Sequence, residues 1–163
     1  MSDRFQISIE IGGQLESSKV QDLIDAINSE GMGLDWGECP IRLKKKEDLI
    51  NCLASKESPI ILVDDERAWG DIDGLEETCR NLKLNFKTFV EPKYEYNGEL
   101  RYFSTETGLI ELSADVDGRP IVSQEDLQEI LSLLNLGKTD GAINKIKEFT
   151  RSFIVPKFEI VEK

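Results

Sequence analysis

Seven carboxylates fall between positions 64 and 77 (Asp64, Asp65, Glu66, Asp71, Asp73, Glu76 and Glu77), with Arg67 the one basic residue among them. Two chemistries fit such a run. If Ile60–Val63, an unbroken apolar stretch behind Pro59, is a strand, then Asp64 and Asp65 stand at its carboxyl end, where open sheets flanked by helices collect ligands. Convergent carboxylates there hold a magnesium ion, which could polarise a phosphoryl oxygen or activate water. On that reading Asp64 and Asp65 are candidate metal ligands, and the chain is a divalent-metal-dependent phosphoester hydrolase. The second chemistry is local. Asp71 caps the next helix, Asp73 and its neighbours favour the positive end of the helix dipole, and Asp64 and Asp65 are turn residues at a wet strand end. No second element supplies a ligand that the sequence identifies, which favours the local reading.

Other catalytic patterns fail. The chain has no histidine, which removes Ser-His and Cys-His couples and imidazole as acid, base or metal ligand. Asp115-Val116-Asp117-Gly118 matches part of a calcium loop, but the loop's first and closing positions would be Ser113 and Gln124, so a hairpin turn explains the four residues better. Ile61-Leu62-Val63-Asp64-Asp65-Glu66 resembles the opening of a response-regulator receiver domain, in which the acidic pair helps bind magnesium. The resemblance covers six residues a third of the way along the chain. Beyond Val90 the chain reads as hairpins, where a receiver continues with parallel strands, a phospho-accepting Asp and a distant Lys. Neither a phosphate-binding glycine loop nor GxSxG occurs.

Charge narrows the partners. The 20 basic and 32 acidic residues leave a net charge of -12, which opposes binding to nucleic acid or to anionic lipid. A charged partner should be a basic protein. Trp36, in the glycine-rich stretch Gly31–Pro40, and Trp69, beside Gly70, are the candidate partner-binding residues, because aromatic side chains dominate binding hot spots. The opposing expectation is that both fold back, Trp36 as a lid on the core and Trp69 as a wedge under its turn. The basic run Arg42, Lys44, Lys45 and Lys46 reads as the solvated approach to a short helix carrying Leu49, Ile50 and Leu53. A third functional class rests on charge alone, an inhibitor whose carboxylates imitate nucleic acid.

Cys39, Cys52 and Cys79 are odd in number and far apart, so they form neither a disulfide framework nor a zinc site, and Cys52 and Cys79 fall at core positions of helical patterns. No stretch has signal-peptide or membrane-span character, and a reducing cytoplasm is the expected location.

Periodicity supplies the elements that must position these residues. Arg4–Ile11 alternates as a strand with one wet face, ended by Gly12-Gly13. Ser18 with Gln21 resembles a capping box ahead of a helix with Val20, Leu23, Ile24 and Ile27 on one face, stopped by Gly31. Ile60–Val63 is expected as the central strand, covered on both faces. A helix through Ile72, Leu75, Cys79 and Leu82 links it to a strand alternating at Leu84, Phe86, Thr88 and Val90, so that the two strands pair in parallel. Asn97-Gly98 signals a hairpin within Pro92–Phe103, in the register that sets Tyr94 beside Leu100, and Asp117-Gly118 signals another joining Leu109–Leu112 to Ile121-Val122. Ser123 caps a helix whose stripe Leu127, Ile130, Leu131 and Leu134 is expected in the core. A further helix carries Ala142, Ile146, Phe149 and Phe153, and residues 157–160 read as a closing strand or an ordered tail. The whole, residues 1–163, is expected as one α+β domain, a mixed but mostly antiparallel sheet with helices chiefly on one face. Its favoured role is a non-enzymatic interaction or regulatory module that needs no cofactor; magnesium belongs to the hydrolase alternative.

Overall fold

The computed structural model describes residues 3–38, 40–53 and 58–162; Cys39 and the side chains of Cys52 and Leu53, with the expectations placed on them, lie outside the described residues. Six strands form one sheet: β1 (Arg4–Glu16), β2 (Ile60–Ala68), β3 (Asn85–Val90), β4 (Gly98–Ser104), β5 (Gly108–Ala114) and β6 (Phe158–Val161). Their order is β2-β1-β3-β4-β5 with every neighbour antiparallel, while β6 runs parallel to the far end of β1, which makes the sheet mixed and mostly antiparallel. The helices are α1 (Val20–Glu30), α2 (Lys46–Leu53), α3 (Asp73–Asn81), α4 (Gln124–Asn135) and α5 (Thr139–Thr150). The chain is a single α+β domain.

The organising strand is β1, and β2 lies at the sheet edge, contrary to the expectation for Ile60–Val63. Four consecutive apolar residues do not need two covered faces here. Ile60 and Leu62 are buried, Ile61 is exposed, and Val63 is covered because Gly33 pairs with it along the outer edge, N–H to O at 2.8 and 2.9 Å. That bridge also blocks one stretch of open edge from pairing with another chain. β1, whose alternation reads as half wet, sits inside the sheet between β2 and β3 because its polar side is matched by neighbours, as where Glu10 meets Lys87 at 2.6 Å. β2 and β3 do run in the same direction on either side of α3, but β1 is inserted between them, so they never pair.

Ile7, Ile9 and Ile11 of β1 point to one face with Leu62 and Phe86, and meet Leu23, Ile24 and Ile27 of α1 and Leu75 and Cys79 of α3, all fully buried. Each such aliphatic side chain contributes about 1.5–3 kcal/mol of burial. Entry to α1 is a 3₁₀ turn, Ser17–Lys19, and no Ser18 capping bond forms; Gln21 donates instead to Asp25 at 2.8 Å. Gly31, at φ 68°, ends α1 as expected.

Gly12-Gly13 does not end β1. A Cβ on Gly12 would lie 1.8 Å from the Pro156 carbonyl oxygen, so this glycine is where the C-terminal chain crosses the sheet. Gly13, at φ 108°, bends β1 towards β6 and donates to the Lys157 carbonyl at 3.0 Å. Gly98 likewise serves close approach, its would-be Cβ 2.9 Å from Val90 O and 3.0 Å from Ala114 O. The chain reverses earlier, at Lys93–Tyr96 with Tyr94 at φ 54°, so Phe89 faces Leu100 and the expected Tyr94–Leu100 register does not form. β5 pairs back onto β4 through a tight turn at Ser104–Gly108. The Asp117-Gly118 turn does form, but its return limb reaches β5 through the single bridge Ala114–Pro120.

Ser123 caps α4 as expected, accepting from the Asp126 N–H at 3.0 Å while Asp126 accepts from the Ser123 N–H at 3.0 Å. The stripe it precedes is not core. No residue of α4 is fully buried, and on α5 only Ala142 is, because the two helices pack chiefly on each other and not on the sheet. After α5 the chain crosses the second sheet face, where Phe153 meets Tyr102 edge to face at 5.3 Å and Val155 is buried.

Candidate functional site

Asp64 and Asp65 lie within β2, not beyond its end, and their side chains leave opposite faces. β2 carries one extra residue opposite β1 between the pairs Ile7–Asp64 and Phe5–Arg67, a bulge facing Gln6. On the helix-covered face, Asp64 contacts Arg67 Nε at 3.1 Å as an ion pair without hydrogen-bond alignment, and accepts from the Glu66 N–H at 2.9 Å. Arg67 reaches on to Glu30, bonding its carbonyl at 2.6 Å and standing 3.4 Å from its carboxylate. Burial raises the Glu30 carboxyl above its ordinary range, with the Arg67 charge opposing. On the other face, Asp65 accepts from the Gly37 N–H and from the Gln6 amide at 3.3 Å. The two proposed metal ligands thus have different partners although both border one cleft, and among the described residues no group of three or more carboxylate or thiol side chains is close enough to hold a metal ion.

What it builds around Asp65 is a groove. A cleft of about 330 Å³ is lined by Asp35, Gly37, Glu38, Asp64, Asp65 and Glu66, together with Gly31, Gly33, Pro40 and Val63. A second cleft, of about 300 Å³, is lined by Arg4, Gln6, Asp65, Glu91, Pro92 and Lys93. Asp65 belongs to both. Six carboxylates thus border the pair of clefts against two cations, and both cations are engaged: Arg4 donates to the Glu66 carbonyl at 2.9 Å and Lys93 to the Arg4 carbonyl.

The loops that wall this end of the sheet carry large exposed aromatics. Trp36, between Asp35 and Gly37, is 43% exposed; Trp69, after β2, is 62% exposed; Tyr94 and Tyr96, after β3, are 82% and 47% exposed. Neither tryptophan is buried as a lid or a wedge. Trp69 adopts φ 56°, a left-handed conformation costly for a bulky residue, and its N–H is held by the Asp3 carbonyl at 3.0 Å. Gly70 comes next at φ 65° because a Cβ there would come within 2.6 Å of Val90. On the tyrosine side, Phe5 packs edge to face on Tyr96 at 6.2 Å, and the Lys93 ammonium lies 5.4 Å from the Tyr94 ring centre.

Nothing in the sequence pattern singles out Tyr94, Tyr96, Asp35 and Glu91. The two tyrosines look like alternate residues of a strand, and the Asn97-Gly98 signal sets the turn after them. The basic run is used structurally: Asp48 accepts from the Lys44 and Lys45 N–H groups at 2.8 and 3.2 Å, and Lys46 binds Ser17 at 2.8 Å and Glu162 at 2.6 Å.

Comparison of the chain with known protein families, with curated proteins and with solved structures finds no match. Among the described residues no helix is long and apolar enough to cross a membrane.

Proposed function

We propose that this chain is a non-enzymatic interaction module that holds a basic, extended segment of a partner protein in the groove around Asp65. The observation that carries the reading is the coincidence, at one end of the sheet, of four exposed aromatic side chains (Trp36, Trp69, Tyr94 and Tyr96) with a groove bordered chiefly by carboxylates. Each half of that pairing has a physical role. The carboxylates and the net charge of -12 draw cationic segments in and accelerate encounter. Indole and phenol faces bind Lys and Arg through cation–π contacts, worth about 0.5–1 kcal/mol at exposed sites, and supply rigid apolar area. An extended segment suits the shape, because the two clefts adjoin at Asp65 instead of forming one closed cavity.

The test is titration with a labelled Lys/Arg-rich peptide of about ten residues, long enough to cross both clefts in extended form. Saturable binding that quenches tryptophan fluorescence, weakens with salt and falls at least tenfold in Trp36→Ala or Tyr94→Ala is expected. Equal binding of an acidic peptide, or full affinity in both variants, overturns the proposal.

A further inference from the structure

We infer that the α4–α5 hairpin is a self-association surface, on which two copies of this chain pack as a four-helix bundle. Leu127, Leu131 and Leu134 of α4, Leu136 after it, and Ile143 and Ile146 of α5 are 58, 58, 47, 67, 42 and 43% exposed. The seam between the helices is fixed by Leu133 against Gly141 and by Lys145 against Asp126 and Glu129 at 3.7 and 3.2 Å. Measured from that seam at 100° per residue in two antiparallel helices, the Leu127-Leu131-Leu134 row and the Ile143-Ile146 row turn to the same side of the hairpin. The amphipathic pattern of α4 is therefore complete, but among the described residues nothing buries it.

Area and charge identify the occupant. The six side chains leave on the order of 600 Å² of apolar surface, at the upper end of what a monomer exposes in one patch. A symmetric pair would remove roughly 1,200 Å², the lower bound of a specific interface. Two copies of a chain with net charge -12 repel each other, yet the hairpin, residues 124–150, sets three cations against five carboxylates and so carries only two of those negative charges. Two copies that meet through the hairpin therefore meet with little like-charge opposition. A lipid surface fits poorly, since α4 has three acidic residues and no basic one, whereas interfacial helices present cations to headgroups. A basic partner gains little attraction from a face that carries so small a share of the net charge. Helices of this kind pack at about 20° in bundles, with apolar rows interdigitating.

Sedimentation equilibrium from about 1 to about 200 μM tests this, with the melting temperature followed over the same range. Wild-type protein is expected to reach twice its 18.5 kDa chain mass and to melt higher as concentration rises. The double variant Leu131→Glu/Ile146→Glu stays at chain mass with an unchanged circular dichroism spectrum, since both positions face solvent in the monomer. The milder Leu131→Gln, which keeps helix propensity, weakens association at least tenfold and serves if the double variant does not fold. Chain mass for the wild type at every concentration, unweakened association in Leu131→Gln or the folded double variant, or co-sedimentation of the wild type with phosphatidylcholine/phosphatidylserine vesicles overturns the inference. Peptide binding at the sheet end by the monomeric variant keeps this result separate from the groove.

Discussion

The Arg101 guanidinium and the Glu76 carboxylate meet inside the protein, Nε to Oε1 at 2.8 Å, with side chains only 9% and 4% exposed. Thr88 donates its hydroxyl to the same Glu76 oxygen at 2.6 Å, and the remaining Arg101 nitrogens bond the Gly70 carbonyl at 3.0 Å and Glu99 at 2.9 Å. Burial alone would lower the Arg101 pKa; the Glu76 charge and the hydrogen bonds to Glu76 and Glu99 outweigh it, so Arg101 stays a cation. One side chain of β4 thereby ties α3 to the turn that presents Trp69.

Breaking this pair from one side is expected to cost more than replacing it whole. Glu76→Ala leaves the buried Arg101 cation with only the half-exposed Glu99 to balance it and lowers stability by about 3 kcal/mol, whereas Glu76→Leu/Arg101→Met together should cost markedly less than the two single changes added. Urea unfolding of the four proteins of the cycle measures this. Additive losses would mean that the two groups do not interact.

The Gly12 crossing gives a backbone prediction. Gly12→Ala drives a methyl group into the Pro156 carbonyl, displacing the chain that buries Val155 and Phe158, and should destabilise by about 2–4 kcal/mol. Gly137→Ala is the control: it carries the conformational penalty of a positive φ, here 70°, but nothing lies within 4 Å of its Cβ, so its loss should be nearer 1–2 kcal/mol. Thermal melts of both variants check the order, and equal losses would show that the C-terminal chain can move off Gly12 at little cost.

Much of the fold was legible because periodicity and burial agree along α1, α3 and β3: Val20, Leu23, Ile24 and Ile27 recur at helical spacing and are all buried, as are Phe86, Thr88 and Val90 at strand spacing. The failures have physical causes. Apolar run length cannot report strand order, since Gly33 covers Val63 at an edge as well as a neighbouring strand would. Glycine in a turn and glycine under a crossing chain look alike in sequence, which displaces the expected end of β1 and the expected β3–β4 hairpin. An amphipathic stripe shows that a surface wants cover but not that the same chain provides it, and α4 is the result. The carboxylate groove and the exposed aromatics of the loops around it come from separate parts of the chain, so only Trp36 and Trp69, conspicuous by type, stand out in the sequence.

Cys79 should be chemically silent while the protein is folded. Burial, with the charge of Glu76 adding, pushes its thiol up to about 12, leaving almost no thiolate near neutrality. Iodoacetamide labelling read by peptide mass spectrometry should therefore mark Cys79 only when denaturant is present. Labelling at native conditions at the rate of a free thiol would place Cys79 outside the core.

The α4 cap predicts a pH effect of definite sign. The Ser123 hydroxyl, then its N–H, holds the Asp126 carboxyl below its ordinary value, with Lys145 adding. A depressed carboxyl contributes stability that is present above the unfolded-state value near 3.8 and is lost as pH falls through the folded value. Ser123→Ala should cost about 1 kcal/mol at neutral pH. That difference from wild type should shrink in acid. A gap that stays constant as pH falls below the ordinary carboxylate range would show that the reciprocal bonds to Asp126 do not carry the cap.

The hydrolase alternative and the interaction module part company at Asp64 and Asp65. The two carboxylates leave opposite faces of β2, one held against Arg67 and the other by the Gly37 N–H and Gln6, so a divalent ion would have to displace an ion pair and a loop anchor to reach both. Magnesium or manganese at about 5 mM is thus expected to leave the melting temperature unchanged, since an ion that binds only the folded state would raise it. Asp65→Asn should loosen the Asp35–Glu38 loop, because an amide oxygen is a weaker acceptor for Gly37 than a carboxylate, and reduce peptide affinity without altering the response to metal. Asp64→Asn should instead weaken the Arg67–Glu30 connection and reduce peptide affinity less than Asp65→Asn does, since Asp64 borders one cleft and Asp65 both. A metal-induced rise in melting temperature that both substitutions abolish would return Asp64 and Asp65 to a shared site and remove the groove's claim to be the functional centre.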